Sequence, residues 1–177
     1  KWLREEAFRL RKGVQGEKES AFFLDQYFKG GENHVILHDI RLVIDGDVAQ
    51  IDHLIFNRGG GVYLVETKNY AANVEINEHG EFTVDYDGER FGVPSPIEQS
   101  HRHERILQRM FERLQITNRT GGSPECYHVV MFHPKVGYYA SGRVNFNDDY
   151  QTFPIVMAPV FGHMVAEHLF QMWDGMR

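Results

Sequence analysis

Val48-Ala49-Gln50-Ile51-Asp52-His53-Leu54-Ile55-Phe56, then Asn57-Arg58-Gly59-Gly60-Gly61, then Val62-Tyr63-Leu64-Val65-Glu66-Thr67-Lys68: this stretch decides the fold. Two runs rich in β-branched and aromatic residues flank a short segment of Asn, Arg and Gly, which is the pattern of an antiparallel hairpin. With the turn centred on Gly59, position 52 lies opposite position 66. Cross-strand neighbours on one face stand about 5 Å apart at Cβ, so Asp52 and Glu66 become two carboxylates side by side. Lys68, two residues beyond Glu66, leaves the same face.

Two carboxylates at that spacing repel unless a cation lies between them. Mg²⁺ takes a few carboxylate oxygens and keeps several waters, and a bound ion lowers the pKa of its water and offsets charge on a phosphoryl oxygen. The Lys68 ammonium then stands where it can position the attacking water or stabilise pentacovalent phosphorus. A Glu-x-Lys strand also makes a plain same-face ion pair, and so short a motif recurs by chance. What raises the chemical reading is Asp52 at the opposed position among Ile51, Leu54 and Ile55, because charges within apolar strands are uncommon unless paired or liganded.

Outward from the hairpin, residues 14–29 read as a helix with Val14, Ala21, Leu24 and Phe28 on one stripe. Glu17 falls on that stripe in the expected first turn, where the helix dipole favours an acid in any case. A strand over His34–Ile44, closed by Asp45-Gly46-Asp47, precedes the hairpin. Short strands near 73–76 and 81–85 continue the meander, with a turn at Asp87-Gly88. A helix then starts at Ser95 as N-cap, with Pro96 at the first helical position and Glu98 completing a capping box. It runs to about Ile116 with Leu107, Met110, Phe111 and Leu114 inward. Gly121-Gly122-Ser123-Pro124 breaks the chain before a strand at Tyr127–Phe132, and a weak strand near 153–157 and a helix over 160–171 follow. The sum is an α/β (α+β) fold around a mixed sheet flanked by helices.

At 177 residues the chain suits one domain with a substantial core. One cysteine, Cys126, forms no disulfide framework and no Cys₄ zinc site. It fits a reducing, cytoplasmic setting, and with no base assembled beside it nucleophilic chemistry is not expected. No run of about 18 apolar residues is present to span a membrane. The charged start Lys1-Trp2-Leu3-Arg4-Glu5-Glu6 carries no signal-peptide core, and is expected to enter partway along a helix of a longer protein. The net charge of −6 argues against a broad nucleic-acid-coating protein. It leaves room for an enzyme whose clustered acids are offset by a metal.

Gly16-Glu17, Ile51-Asp52-His53, Glu66-Thr67-Lys68-Asn69-Tyr70 and Pro96-Ile97-Glu98-Gln99, in that order and spacing, resemble the nuclease-related domain (NERD) of the PD-(D/E)xK nuclease superfamily. The resemblance covers roughly residues 13 to 133. It implies a restriction-endonuclease-like sheet and a domain over 14–133; a helical lead-in, 1–13, and a C-terminal extension, 134–177, packed on the same domain, are expected outside it. It also implies that Asp52 and Glu66 ligate Mg²⁺ or Mn²⁺ with the Thr67 carbonyl as a third ligand, and that Lys68 orients or activates water. Gln99 would hold the site in order from the first turn of its helix, and Glu17 would approach the metal or its water shell. The proline of the superfamily name is absent, Ile51 preceding Asp52, a departure many members share.

Other signals carry less. His101-x-His103 sits on a helix, where i and i+2 point apart, and no His-Glu-x-x-His is present. His53 lies on the other strand face from Asp52 and reads as a packing or hydrogen-bonding residue. Arg102, Arg105, Arg109 and Arg113 make one basic stripe, either gripping phosphates or forming a solvated face with local Glu partners. The expectation is therefore a metal-dependent nuclease acting on nucleic acid, DNA foremost, aided by a fused or associated partner. The alternative is a catalytically inert nucleic-acid-binding or protein-interaction module with a nuclease fold. Oligomeric state is not legible.

Overall fold

A computed structural model describes residues 2–70, 72–77, 79–132, 138–140 and 152–157, the last two segments as backbone. The elements run α1 (Trp2–Phe28), β1 (His34–Ile44), β2 (Asp47–Asn57), β3 (Gly61–Lys68), β4 (Asn73–Ile76), β5 (Phe82–Tyr86), β6 (Glu89–Val93), α2 (Pro96–Leu114), β7 (Glu125–Phe132), β8 (Tyr138–Ala140) and β9 (Thr152–Met157). They build a mixed sheet in the order β1-β2-β3-β7-β9 and a smaller sheet in the order β6-β5-β4-β8. Among the described residues no helix is long and apolar enough to cross a membrane.

The hairpin has the register expected from Gly59: His53 pairs with Val65, Leu54 with Leu64, Ile55 with Tyr63 and Phe56 with Val62. The next pair outward in that register is Asp52 and Glu66. At the turn the Gly60 amide bonds the Asn57 carbonyl and the Gly61 amide bonds the Asn57 side chain. Asp45 and Gly46, both at positive φ, form the two-residue turn between β1 and β2. β7 then lies parallel to β3, Glu66 beside Val130 and Leu64 beside His128. A parallel strand pair is covered on both faces, so its sequence is a continuous apolar run rather than an alternation. Every residue of β3 before Lys68 is accordingly buried.

One face carries Ile55, Tyr63, Val65, Tyr127, Val129 and Met131 and is covered by Leu24 and Phe28 of α1. The other carries Leu54, Val62, Leu64 and Cys126 under Leu107 and Phe111 of α2. α2 is bounded as its sequence dictates: Ser95 is the N-cap, its hydroxyl accepting from the Glu98 amide, with Pro96 behind it and Gln115 closing the helix in the left-handed region.

Three expectations are corrected. α1 begins at Trp2 rather than near residue 14, so the lead-in and the first helix are one element, and its buried stripe is Gly16, Ser20, Leu24 and Phe28. Val14, half exposed, lies off that stripe because the buried positions recur at strict four-residue steps. β4 and β5 do not extend the main sheet. With β6, a strand added after the Asp87-Gly88 turn, they form the second sheet, whose Val74, Ile76, Phe82 and Val84 pack on Ile97, Val130 and Phe132. Leu114 is exposed, since it lies beyond the last turn of α2 that faces the sheet. The helix expected over 160–171 lies outside the described residues.

α1 approaches the end of β3 through a glycine. A Cβ on Gly16 would stand 2.6 Å from the Asn69 Cβ, and the Asn69 amide donates to the Lys12 carbonyl at 3.0 Å. Gly13, one turn earlier, has nothing within 4 Å of such a Cβ. Gly16→Ala is expected to destabilise by about 1–3 kcal/mol through overpacking, despite a helix-propensity gain of about 1 kcal/mol. Gly13→Ala is expected to stabilise by up to about 1 kcal/mol. Urea unfolding of both variants checks this, and equal effects would refute the close approach at residue 16.

Candidate active site

The site forms where the middle of β2, the end of β3 and the start of α2 meet. β2 supplies Asp52, β3 supplies Glu66, Thr67 and Lys68, and the first turn of α2 supplies Gln99. Glu66 is buried, 3% exposed, and cannot hold its charge there without partners. Its Oε1 accepts from Lys68 Nζ at 2.6 Å and from Gln99 Nε2 at 2.6 Å, and Lys68 also reaches Gln99 Oε1 at 3.3 Å. Gln99 thus bridges acid and base, donating to one and accepting from the other. The other oxygen of Glu66 faces His103, one helical turn beyond Gln99, at 3.9 Å.

Asp52 is fixed by the neighbouring strand: the Thr67 amide donates to its Oδ2 at 2.7 Å. The β1–β2 ladder is interrupted here. It pairs His38 with His53 and Ile40 with Ile51, and Asp39 between them adopts φ 51°, held by Gln50 donating to its carboxylate. Burial, with Glu66 adding its charge, pushes the Asp52 carboxyl up to about 7, against a weaker opposite pull from the Thr67 amide and Lys68. Burial also raises Glu66 above the usual carboxylate range, although Lys68 and Gln99 act the other way.

Glu17 joins this group from α1. Burial first, then the charges of Asp52 and Asp39, raise its pKa, so it stands in the field of the acid pair. With α1 starting at Trp2, Glu17 is in mid-helix, and the dipole of a first turn does not account for it. Gly16 does: the close approach there swings the next residue toward the end of β3.

Glu17, Asp52, Glu66, Thr67, Lys68 and Gln99 all line one open cleft of about 1030 Å³. Arg9 and Lys12 of α1 and Tyr86 and Phe91 of the second sheet line it as well. None of Arg102, Arg105, Arg109 and Arg113 is among the lining residues described. Arg109 meets Asp47 at 2.5 Å and Arg113 meets Asp45 at 2.8 Å, both at the β1–β2 turn, while Arg102 and Arg105 are exposed.

Beneath the acid pair runs a chain of imidazoles. His53, 1% exposed, bonds Thr67 Oγ1 at 3.1 Å and His38 Nδ1 at 2.8 Å, and His38 in turn meets Asp25 at 3.1 Å. His53 is thus the hydrogen-bonding residue its position suggested, and burial pushes it down to about 3. The histidines of α2 do diverge, as their two-residue spacing requires: His103 faces Glu66, and His101 faces Glu104 and His128. That second group escaped sequence reasoning, although His101-x-x-Glu104 is an i, i+3 pair on one helix face. Its third member comes from β7, which only the fold brings alongside.

The nuclease-related domain family model matches residues 12–133 of the chain. No curated protein and no solved structure matches it.

The raised Asp52 carboxyl has a consequence for stability. Its folded pKa, about 7, exceeds the unfolded value of 3.8, so the folded state binds more protons between those values and stability falls as pH rises through that window. Asp52→Asn keeps the acceptor for the Thr67 amide and removes the charge. With chelator present, the variant should melt several degrees above the wild type at pH 8, and the gap should narrow by pH 5. Thermal melts at the two pH values decide it, and a pH-independent gap would refute the raised carboxyl.

Proposed function

The chain belongs to the nuclease-related domain family, and from that premise we propose that it is a divalent-metal-dependent nuclease hydrolysing phosphodiester bonds, with DNA as substrate. The observation that carries the proposal is the convergence of Asp52, Glu66, Lys68 and Gln99 at the floor of one cleft. A cytoplasmic setting and a fused or associated domain that recruits substrate complete the proposal, since the net charge of −6 gives little long-range pull on a polyanion.

The donor set fits Mg²⁺ or Mn²⁺. Two carboxylates, Glu66 buried and Asp52 half-buried and pushed up to about 7 by desolvation and by the charge of Glu66, form a site that a hard cation relieves. Asp52 and Glu66 would hold the ion, with the Thr67 carbonyl as third protein ligand. When bound it supplies a more acidic water and offsets charge on the phosphoryl oxygen.

The chain's own residues do the rest. Lys68, its ammonium held between Glu66 and Gln99, is presented to the cleft and orients or activates the attacking water. Gln99 fixes the lysine and the acid relative to each other, because its amide donates to Glu66 and accepts from Lys68. Glu17 faces the same cleft and accepts a hydrogen from water beside the acid pair. Arg9 and Lys12, on the cleft wall, offer the nearest positive charge to a phosphate backbone, whereas Arg109 and Arg113 are engaged by Asp47 and Asp45. Of the basic stripe on α2, Arg102 and Arg105 are the two left to contact phosphates outside the cleft.

Plasmid and linear DNA incubated with Mn²⁺ or Mg²⁺ should be cleaved by the wild type. Asp52→Ala and Lys68→Ala should each lower the rate by about 100-fold or more, as loss of a group that stabilises charge in the transition state does. Activity that survives in both folded variants would place the chemistry elsewhere. A wild type that neither cleaves nor binds Mn²⁺ in calorimetry would identify an inert module.

A further inference from the structure

α2 and β7 hold a second cluster that the nuclease chemistry leaves unused. Glu104 Oε2 stands 3.1 Å from His128 Nε2 and 3.7 Å from His101 Nδ1. All three ligand-type atoms lie within 4.8 Å of one another. A tetrahedral ion with bonds of about 2.0 Å places its ligands about 3.3 Å apart, so small side-chain movements suffice to close the cluster. We propose that His101, Glu104 and His128 form a second metal site, selective for Zn²⁺ or a similar borderline transition ion, that fastens α2 to β7.

The chemistry differs from that of the acid cleft. Two imidazoles and one carboxylate suit zinc, with water on the fourth position, whereas Mg²⁺ prefers oxygen alone. The orientation of His128 is set from behind: its Nδ1 lies 2.8 Å from Ser100 Oγ, and both residues are 1% exposed. With Nδ1–H donated to that hydroxyl, Nε2 presents its lone pair to the ion, the arrangement by which outer partners fix the tautomer of a metal-binding histidine. Glu104, on the same helix face as His101, places its carboxylate within reach of both imidazoles. His101 and Glu104, with side chains 28% and 23% exposed, leave a way in from solvent.

The position gives the site a purpose. Leu64, not Glu66, is the β3 neighbour of His128, so the cluster lies on the α2 face one same-face step along the sheet from the acids, about 7 Å. The helix it would clamp is the one that carries Gln99.

Thermal melts of the metal-free protein with and without Zn²⁺ test the proposal, using the Asp52→Asn variant alongside the wild type to disable the acid cleft. Zn²⁺ should raise the Tm of both by several degrees, while Mg²⁺ should not do so in Asp52→Asn. His101→Ala and Glu104→Gln, at partly exposed positions and each added to Asp52→Asn, should remove the zinc gain while folding normally by circular dichroism. A gain kept in those two variants, or lost in Asp52→Asn, would assign the zinc to another place and overturn the site. Absence of any gain would overturn it too. Neither result bears on cleavage with Mg²⁺, which is read separately.

Discussion

Two carboxylates, one buried and one half-buried, must stand side by side across β2 and β3, and much of the local structure answers that demand. Asp52 is held by a backbone amide of the next strand, which gives an acid a partner that cannot rotate away. Glu66 is held by a lysine and a glutamine that are also bonded to each other. Even so, burial leaves both carboxyls harder to ionise than in water. A structure that only had to be stable would replace such a pair with hydrophobic side chains, since desolvation of charge is rarely recovered in full. In the function we propose, the pair is a binding surface for positive charge.

The sheet makes this placement exact because its side-chain period is two. A slip of one residue in the β2–β3 ladder would turn Asp52 away from Glu66 and move Leu64 from the α2 face to the α1 face. The apolar residues that alternate with the acids therefore protect the register. Leu54 and Leu64 pack against α2, while Ile55, Tyr63 and Val65 pack against α1. α2 serves twice: Leu107 and Phe111 fasten its later turns to the core, and its capped first turns bring Gln99, His101, His103 and Glu104 over the polar end of the sheet.

How much of this was written locally can be seen residue by residue. The hairpin register, the cap at Ser95 and the strand at β1 follow from turn chemistry and spacing, which act within a few residues of one another. The acid pair and Lys68 followed from the register alone. The stripe of α1 was misplaced because Gly16 and Ser20 are buried by close approach rather than by hydrophobicity, and a pattern of apolar residues does not register that. The division into two sheets was not legible either, since β4 and β5 have the composition of meander strands wherever they pair. Glu104 and His128 are joined only by the packing of α2 on β7, a relation between segments 24 residues apart that no local rule encodes.

The parallel ladder between β3 and β7 has a bearing on how the molecule comes to fold. Gly61 pairs with Glu125 and Lys68 with Phe132, so the two strands can meet only after the chain between them has turned back on itself. The β2–β3 hairpin closes over a handful of residues, a microsecond event, whereas a ladder of such long separation waits on a large loss of chain entropy. The hairpin sets Asp52 opposite Glu66 without waiting for β7, whereas the contact of His128 with Glu104 requires β7 to lie beside α2. In that order the acid pair loses its water only when α2 and β7 cover it, so the cost of desolvating charge falls together with the burial of Leu107 and Phe111.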